Sequence, residues 1–121
     1  DEPLLIKAMR VLQAVAEGHG LGESVTESEV SSRVSMDAHQ RQRIFQAVGE
    51  LRLIGIDVRG QWILGRDLQA VSLWQLYQLL PDKLTEAKLA EVMGFPRLIE
   101  LLAAVRHSNV EHLSVSLEEV I

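Results

Sequence analysis

Between Ser35 and Tyr77 the spacing of apolar residues switches from a helical step to a two-residue step and back again. Few folds accommodate that change of period in so short a span. From Met36 to Ile54 the side chains Ile44, Ala47, Val48, Leu51 and Ile54 recur at helical intervals, which predicts a long helix capped by Ser35. His39, Gln42, Arg43, Gln46 and Glu50 fall on its solvent side. Gly55 supplies a left-handed stop. Ile56/Val58 and Trp62/Leu64 then alternate about Arg59-Gly60, predicting a hairpin (Ile56–Val58 and Gln61–Leu64) with a two-residue turn and one apolar face. Beyond Gly65-Arg66-Asp67, Ser72-x-x-Gln75 is a capping box, and Leu73, Leu76, Tyr77 and Leu80 carry a helix to Pro81.

Two helices are predicted ahead of this stretch. Pro3 suits a first helical position, with Asp1 or Glu2 as its cap, and Leu5, Ala8, Met9, Leu12, Val15 and Ala16 form one core face as far as Gly18-His19-Gly20. Leu21–Val25 reads as a connector or a short strand. Thr26-Glu27-Ser28-Glu29 reads as a capping box for a short second helix that turns Val30 and Val34 inward. Downstream, Thr85 opens a helix to Met93, closed by Gly94, and Pro96 opens another with Leu98, Leu101, Leu102 and Val105 on its core side. The last segment (Leu113, Val115, Leu117, then Glu118-Glu119-Val120-Ile121) reads as a strand, a short helix or a docked tail. The order predicts a mainly α fold with a small β-hairpin. Residues 1–66 form a winged-helix-like core (helix-turn-helix plus wing), and 67–121 a helical extension packed on it as one cooperative unit.

At 121 residues, with 47% hydrophobic and 24% charged residues, the chain has the length and composition of a single folded domain. It contains no cysteine, which excludes disulfides, thiolate chemistry and cysteine-ligated zinc. No apolar run approaches the roughly 20 residues that span a bilayer. The opening Asp1-Glu2-Pro3 is neither a signal peptide nor a natural start, and reads as the beginning of an excised piece.

The net charge of −5 is unevenly spread: residues 33–66 carry +3, while residues 1–32 and 67–121 each carry −4. Arg41, Arg43, Arg52 and Arg59 are the residues a nucleic-acid-binding regulator would use, since arginine reads guanine edges and neutralises phosphate. The acidic whole, the short wing and the neighbouring Asp37 and Glu50 oppose that reading. Trp62, Trp74 and Tyr77 suit a hairpin face packed on a helix better than a base-stacking platform. Arg66-Asp67 is the most pointed polar pair. It serves either as a partner-binding charge site or as a structural link, in which Arg66 meets a neighbouring carboxylate and Asp67 caps the turn toward Ser72. His19, His39, His107 and His112 show no metal-ligand spacing, no phosphate-binding glycine loop is present, and Glu118-Glu119 is a solvated pair. No catalytic residue, metal site, cofactor or small-molecule substrate is predicted.

Three phrases carry a family resemblance. They are Leu51-Arg52-Leu53-Ile54-Gly55-Ile56-Asp57-Val58, then Gln61-Trp62-Ile63-Leu64-Gly65-Arg66-Asp67, then Val71-Ser72-Leu73-Trp74-Gln75-Leu76-Tyr77. Val11-Leu12-Gln13-Ala14-Val15 and Val115-Ser116-Leu117-Glu118-Glu119 add to them, while residues 81–112 carry none of it. Together they resemble the C-terminal region of the BrkB/YihY family (UPF0761), bacterial inner-membrane proteins labelled ribonuclease BN. The resemblance implies a cytoplasmic, winged-helix-like appendage whose parent's membrane-spanning helices precede it. It brings no catalytic motif onto these residues. The expected role is a non-catalytic interaction or regulatory domain that contacts the membrane-embedded part of its parent or self-associates. A nucleic-acid-binding regulator and a tRNA-processing ribonuclease are the alternatives.

Overall fold

A computed structural model describes residues 3–20, 22, 24–80, 94–105 and 115–121. Its first helix, α1 (Leu4–Gly20), is more deeply enclosed than a one-faced helix. Besides the expected Leu5, Ala8, Met9, Leu12 and Val15, the side chains of Ile6, Val11 and Ala14 are buried, and Ala16 is half-buried. The reason is its position: helices on two sides and a strand on a third pack against it, leaving little of its circumference for water. Lys7 is 3% exposed and its Nζ donates to Gln40 Oε1 at 3.0 Å. Pro3, the expected first helical residue, lies one place ahead of the observed one, Leu4, and its carbonyl accepts from Lys7 N at 3.1 Å.

Helix α2 (Glu27–Arg33) begins at Thr26, whose hydroxyl accepts from Glu29 N at 3.1 Å, the forward half of the expected box. Val30 and Val34 are buried. Helix α3 (Ala38–Glu50) differs from expectation at both ends. Its cap is Asp37 and not Ser35: Asp37 Oδ1 accepts from Gln40 N at 2.8 Å, while Gln40 Oε1 accepts from Asp37 N at 3.1 Å. Its stop is Arg52 and not Gly55. Arg52 takes a φ of 58°, Leu53 N donates to Val48 O at 2.8 Å and Arg52 N to Gly49 O at 3.0 Å. That pair of bonds is a Schellman closure, with buried Leu53 and Val48 as its apolar clasp.

Freed by the early stop, Ile54 and Gly55 join a strand. β1 (Ile54–Ile56) pairs antiparallel with β2 (Trp62–Leu64) in the register Ile54↔Leu64, Gly55↔Ile63, Ile56↔Trp62. The turn is longer than the expected Arg59-Gly60: Asp57 N donates to Gln61 O at 2.8 Å and Gly60 N to Asp57 O at 3.0 Å, with Gly60 at φ 77°. On the far side of β2, Val25 exchanges two backbone bonds with Trp62, so the Leu21–Val25 connector contributes a one-residue strand.

A 3-10 turn (Leu68–Ala70) leads into α4 (Leu73–Leu79), opened by the expected Ser72/Gln75 box. The Thr85–Met93 helix falls outside the described residues. Pro96 opens α5 (Pro96–Val105) as expected, with Leu98 and Leu101 buried; the Leu102 and Val105 side chains lie outside the described set. The last segment is a docked tail ending in α6 (Leu117–Val120). Ser116 bridges Ser72: Leu73 N donates to Val115 O and Leu117 N to Val71 O, each at 2.8 Å. The same tripeptide, Val-Ser-Leu, thus meets itself antiparallel, once at Val71-Ser72-Leu73 and once at Val115-Ser116-Leu117. Buried side chains from every one of these elements except β1 form one contiguous apolar cluster, and Ile54 of β1 packs half-buried against it.

Candidate functional site

The cross-strand pairs Ile54↔Leu64 and Ile56↔Trp62 put four apolar side chains on one face of the hairpin, of which Ile54, Ile56 and Trp62 lie beside α3 and Leu64 beside Ala16 and Leu68. Phe45 of α3 meets Trp62 edge-on, ring centroids 4.4 Å apart at 89°. Trp62 is thereby buried, but the fit stays open. Phe45, Val48 and Gly49 from α3, with Ile54, Ile56 and Trp62, line an apolar groove of about 240 Å³. Ile56 on its rim is 69% exposed and Val58 at the turn is fully exposed. The hairpin has the single apolar face expected of it, and that face is uncovered at its outer half, beyond the end of α3. Phe45 was absent from the predicted stripe. It sits one position beside Ile44 and widens the apolar arc, a signal legible in the sequence.

The hairpin backbone is polarised across its width. Bonds at Leu53/Gly65 and Asp57/Gln61 fix the alternation, so the bonded pair between them is Gly55/Ile63. Trp62 consequently points its N–H and C=O away from β1, and Val25 takes both. Ile54 and Ile56 point theirs to the opposite edge. Among the described residues no strand pairs there. The turn is held by Asp57, whose Oδ1 accepts from Arg59 N and Gln61 N at 2.9 Å each. Those contacts hold its carboxyl below the usual value: the Gln61 amide contributes most, desolvation opposes, and the Arg59 amide, the Ser24 hydroxyl and the Arg59 charge add to the lowering.

The four arginines proposed for nucleic acid do not share one role. Arg41 Nη1 pairs with Glu27 Oε1 at 3.2 Å. Arg43 borders a second groove with Gln46, Ala47, Glu50 and Leu79. Arg52 is exposed at the close of α3, and Arg59 is exposed at the hairpin tip. Of the other singled-out residues, Arg66 Nη1 donates to Leu51 O at 3.1 Å, a helix-end carbonyl where a carboxylate was the expected partner. Asp67 Oδ1 accepts from Gln69 N at 2.9 Å and caps the 3-10 turn. The aromatic contacts fall into two pairs, Phe45–Trp62 and Trp74–Tyr77, the latter stacked at 5.8 Å within α4. A further contact escaped the sequence reading: the Arg10 guanidinium lies 5.2 Å above the buried Phe95 ring. His39 is exposed on α3, and His107 and His112 lie outside the described residues. Among the described residues, no three His, Asp or Glu side chains gather as metal ligands, and no helix is long and apolar enough to cross a membrane. The arrangement can present an apolar groove, a free strand edge and two flanking cations.

Over 100 residues the chain is 31% identical to a UPF0761 membrane protein of Chlorobium phaeobacteroides (strain BS1). The match takes in 80% of this chain and 23% of that protein, so the chain spans less than a quarter of the relative's length. No family model matches, and no solved structure matches.

Proposed function

We propose that this chain is a winged-helix-like interaction module belonging to a membrane protein of the BrkB/YihY family, working by protein contact and without catalysis of its own. The observation that carries the reading is the match of 80% of the chain to 23% of a membrane protein. A segment of that kind, with no spanning helix among its described residues, suits an appendage to a membrane-embedded remainder. The element order supports the winged-helix part: α1, the Val25 bridge, α2, α3, then β1 and β2 with the bridge on the β2 side. The extension from residue 67 onward packs on that core, and the two make one cooperative unit. The module faces the bacterial cytoplasm, and its contact surface is the α3–hairpin face.

Co-purification tests the proposal. The tagged chain, added in detergent to the separately produced membrane-embedded part of its parent, is expected to elute with it in size-exclusion chromatography with light scattering. Elution of the two as separate species overturns the reading. A magnesium-supplemented nuclease assay on tRNA is expected to stay at background.

A further inference from the structure

Resting on the reading of the chain as a protein-contact module, we infer that β1 is a docking edge for an extended segment of another polypeptide. The segment has alternating apolar residues and acidic ends, and it adds as a strand beside Ile54–Ile56. Strand addition needs a row of outward N–H and C=O groups for affinity and a place for alternate side chains for specificity. Both are here. The outward groups belong to Ile54 and Ile56, and the Phe45/Val48/Ile56/Trp62 groove lies alongside them. Gly55, between the two isoleucines, carries no side chain to obstruct an approaching strand.

Charge selects the occupant. Arg52 and Arg59 flank the edge at its two ends, both exposed, within the one third of the chain that carries positive net charge. The acid between them, Asp57, turns its carboxylate to the Arg59 and Gln61 amides of its own loop. Glu50 borders the other groove, with Arg43. A second copy of this chain fits poorly. Antiparallel self-pairing that opposes Ile54 to Ile56 brings the Arg52 end of each copy's edge to the Arg59 end of the other's. Two like-charged pairs then meet at the ends of a three-residue strand. Carboxylates at those places reverse the sign of both contacts.

The test uses two blocked heptapeptides, Glu-Val-Thr-Val-Thr-Val-Glu and its lysine-ended twin, titrated into the isotope-labelled chain by NMR. The acidic peptide is expected to shift the amides of residues 54–58 and the Trp62 indole. It should bind about three- to ten-fold more tightly than the lysine peptide at low salt, with the gap closing as salt is added. The double variant Arg52→Glu/Arg59→Glu is expected to invert that preference. Ile56→Pro removes an outward N–H without breaking the hairpin ladder, and should abolish binding of both peptides. If the proline disturbs the α1 resonances, the charge-inverted variant decides alone. Silence at residues 54–58 with both peptides overturns the inference, as does equal binding that charge inversion leaves unchanged. Duplex DNA shifting the same amides while neither peptide does so also overturns it. Co-purification with the membrane part that persists while the peptides are silent removes the edge and keeps the module. Peptide binding without co-purification removes the membrane partner and keeps the edge.

Discussion

Arg52 and Gly65 are coupled through backbone. Arg52 stands where helices prefer glycine, and an ordinary side chain in that left-handed well costs roughly 1–2 kcal/mol. Its carbonyl then lies so close to Gly65 that a Cβ there would sit 2.5 Å from the oxygen. Gly65→Ala is therefore expected to lower stability by about 1–3 kcal/mol in urea unfolding, since strand or helix end must shift. Arg52→Gly is expected to raise stability or leave it level, within about 1 kcal/mol, while weakening the acidic peptide. Asp57 sets a pH dependence. Its folded-state pKa is lowered, so its contribution is present above the ordinary carboxylate value and is lost as pH falls through the folded one. Hairpin amides at Arg59 and Gln61 should lose exchange protection as the pH drops below about 4, and in Asp57→Asn that acid limb should shrink. None of this geometry is spelled out in the letters Leu-Arg-Leu-Ile-Gly. The glycine is the natural choice for the stop, whereas the stop at the arginine goes with the complete burial of Leu53.

Helix ends whose signals are local were the most legible. Thr26, the Ser72/Gln75 box and Pro96 all open helices where the sequence indicates. The α3 cap shows how locality misleads: Ser35 and Asp37 both suit, and Asp37-x-x-Gln40 had the better box. Asp37→Ala is expected to cost about 1 kcal/mol, and Ser35→Ala almost nothing, by thermal unfolding. The groove was half legible. The alternation of Ile56/Val58 and Trp62/Leu64 follows from period two, whereas the register that sets Ile56 opposite Trp62 comes from a turn longer than Arg59-Gly60, and the exposure of Ile56 from where α3 stops. The Val-Ser-Leu clasp was invisible for a different reason. A pairing between segments so far apart in the chain leaves only a repeated tripeptide as its trace, too short to stand out.

Because α5, α6 and the 3-10 turn share one apolar cluster with α1 and the hairpin, heat or urea should melt the molecule in a single transition seen alike by tryptophan fluorescence and circular dichroism. Leu117→Ala, at a fully buried side chain in the clasp, should cost about 2–5 kcal/mol without splitting that transition. The mainly helical plan with its small hairpin was legible because it rests on period and punctuation. The depth of α1 was not, since its second apolar arc (Ile6, Val11, Ala14) reads as noise until neighbours are placed around it. That encirclement has a price during synthesis. This apolar helix leaves the ribosome before the elements of this chain that wrap it, and stays sticky until residue 64 has emerged to complete the sleeve. Holding factors would find their grip there, and in the finished molecule its amides should be the last to trade hydrogen for deuterium.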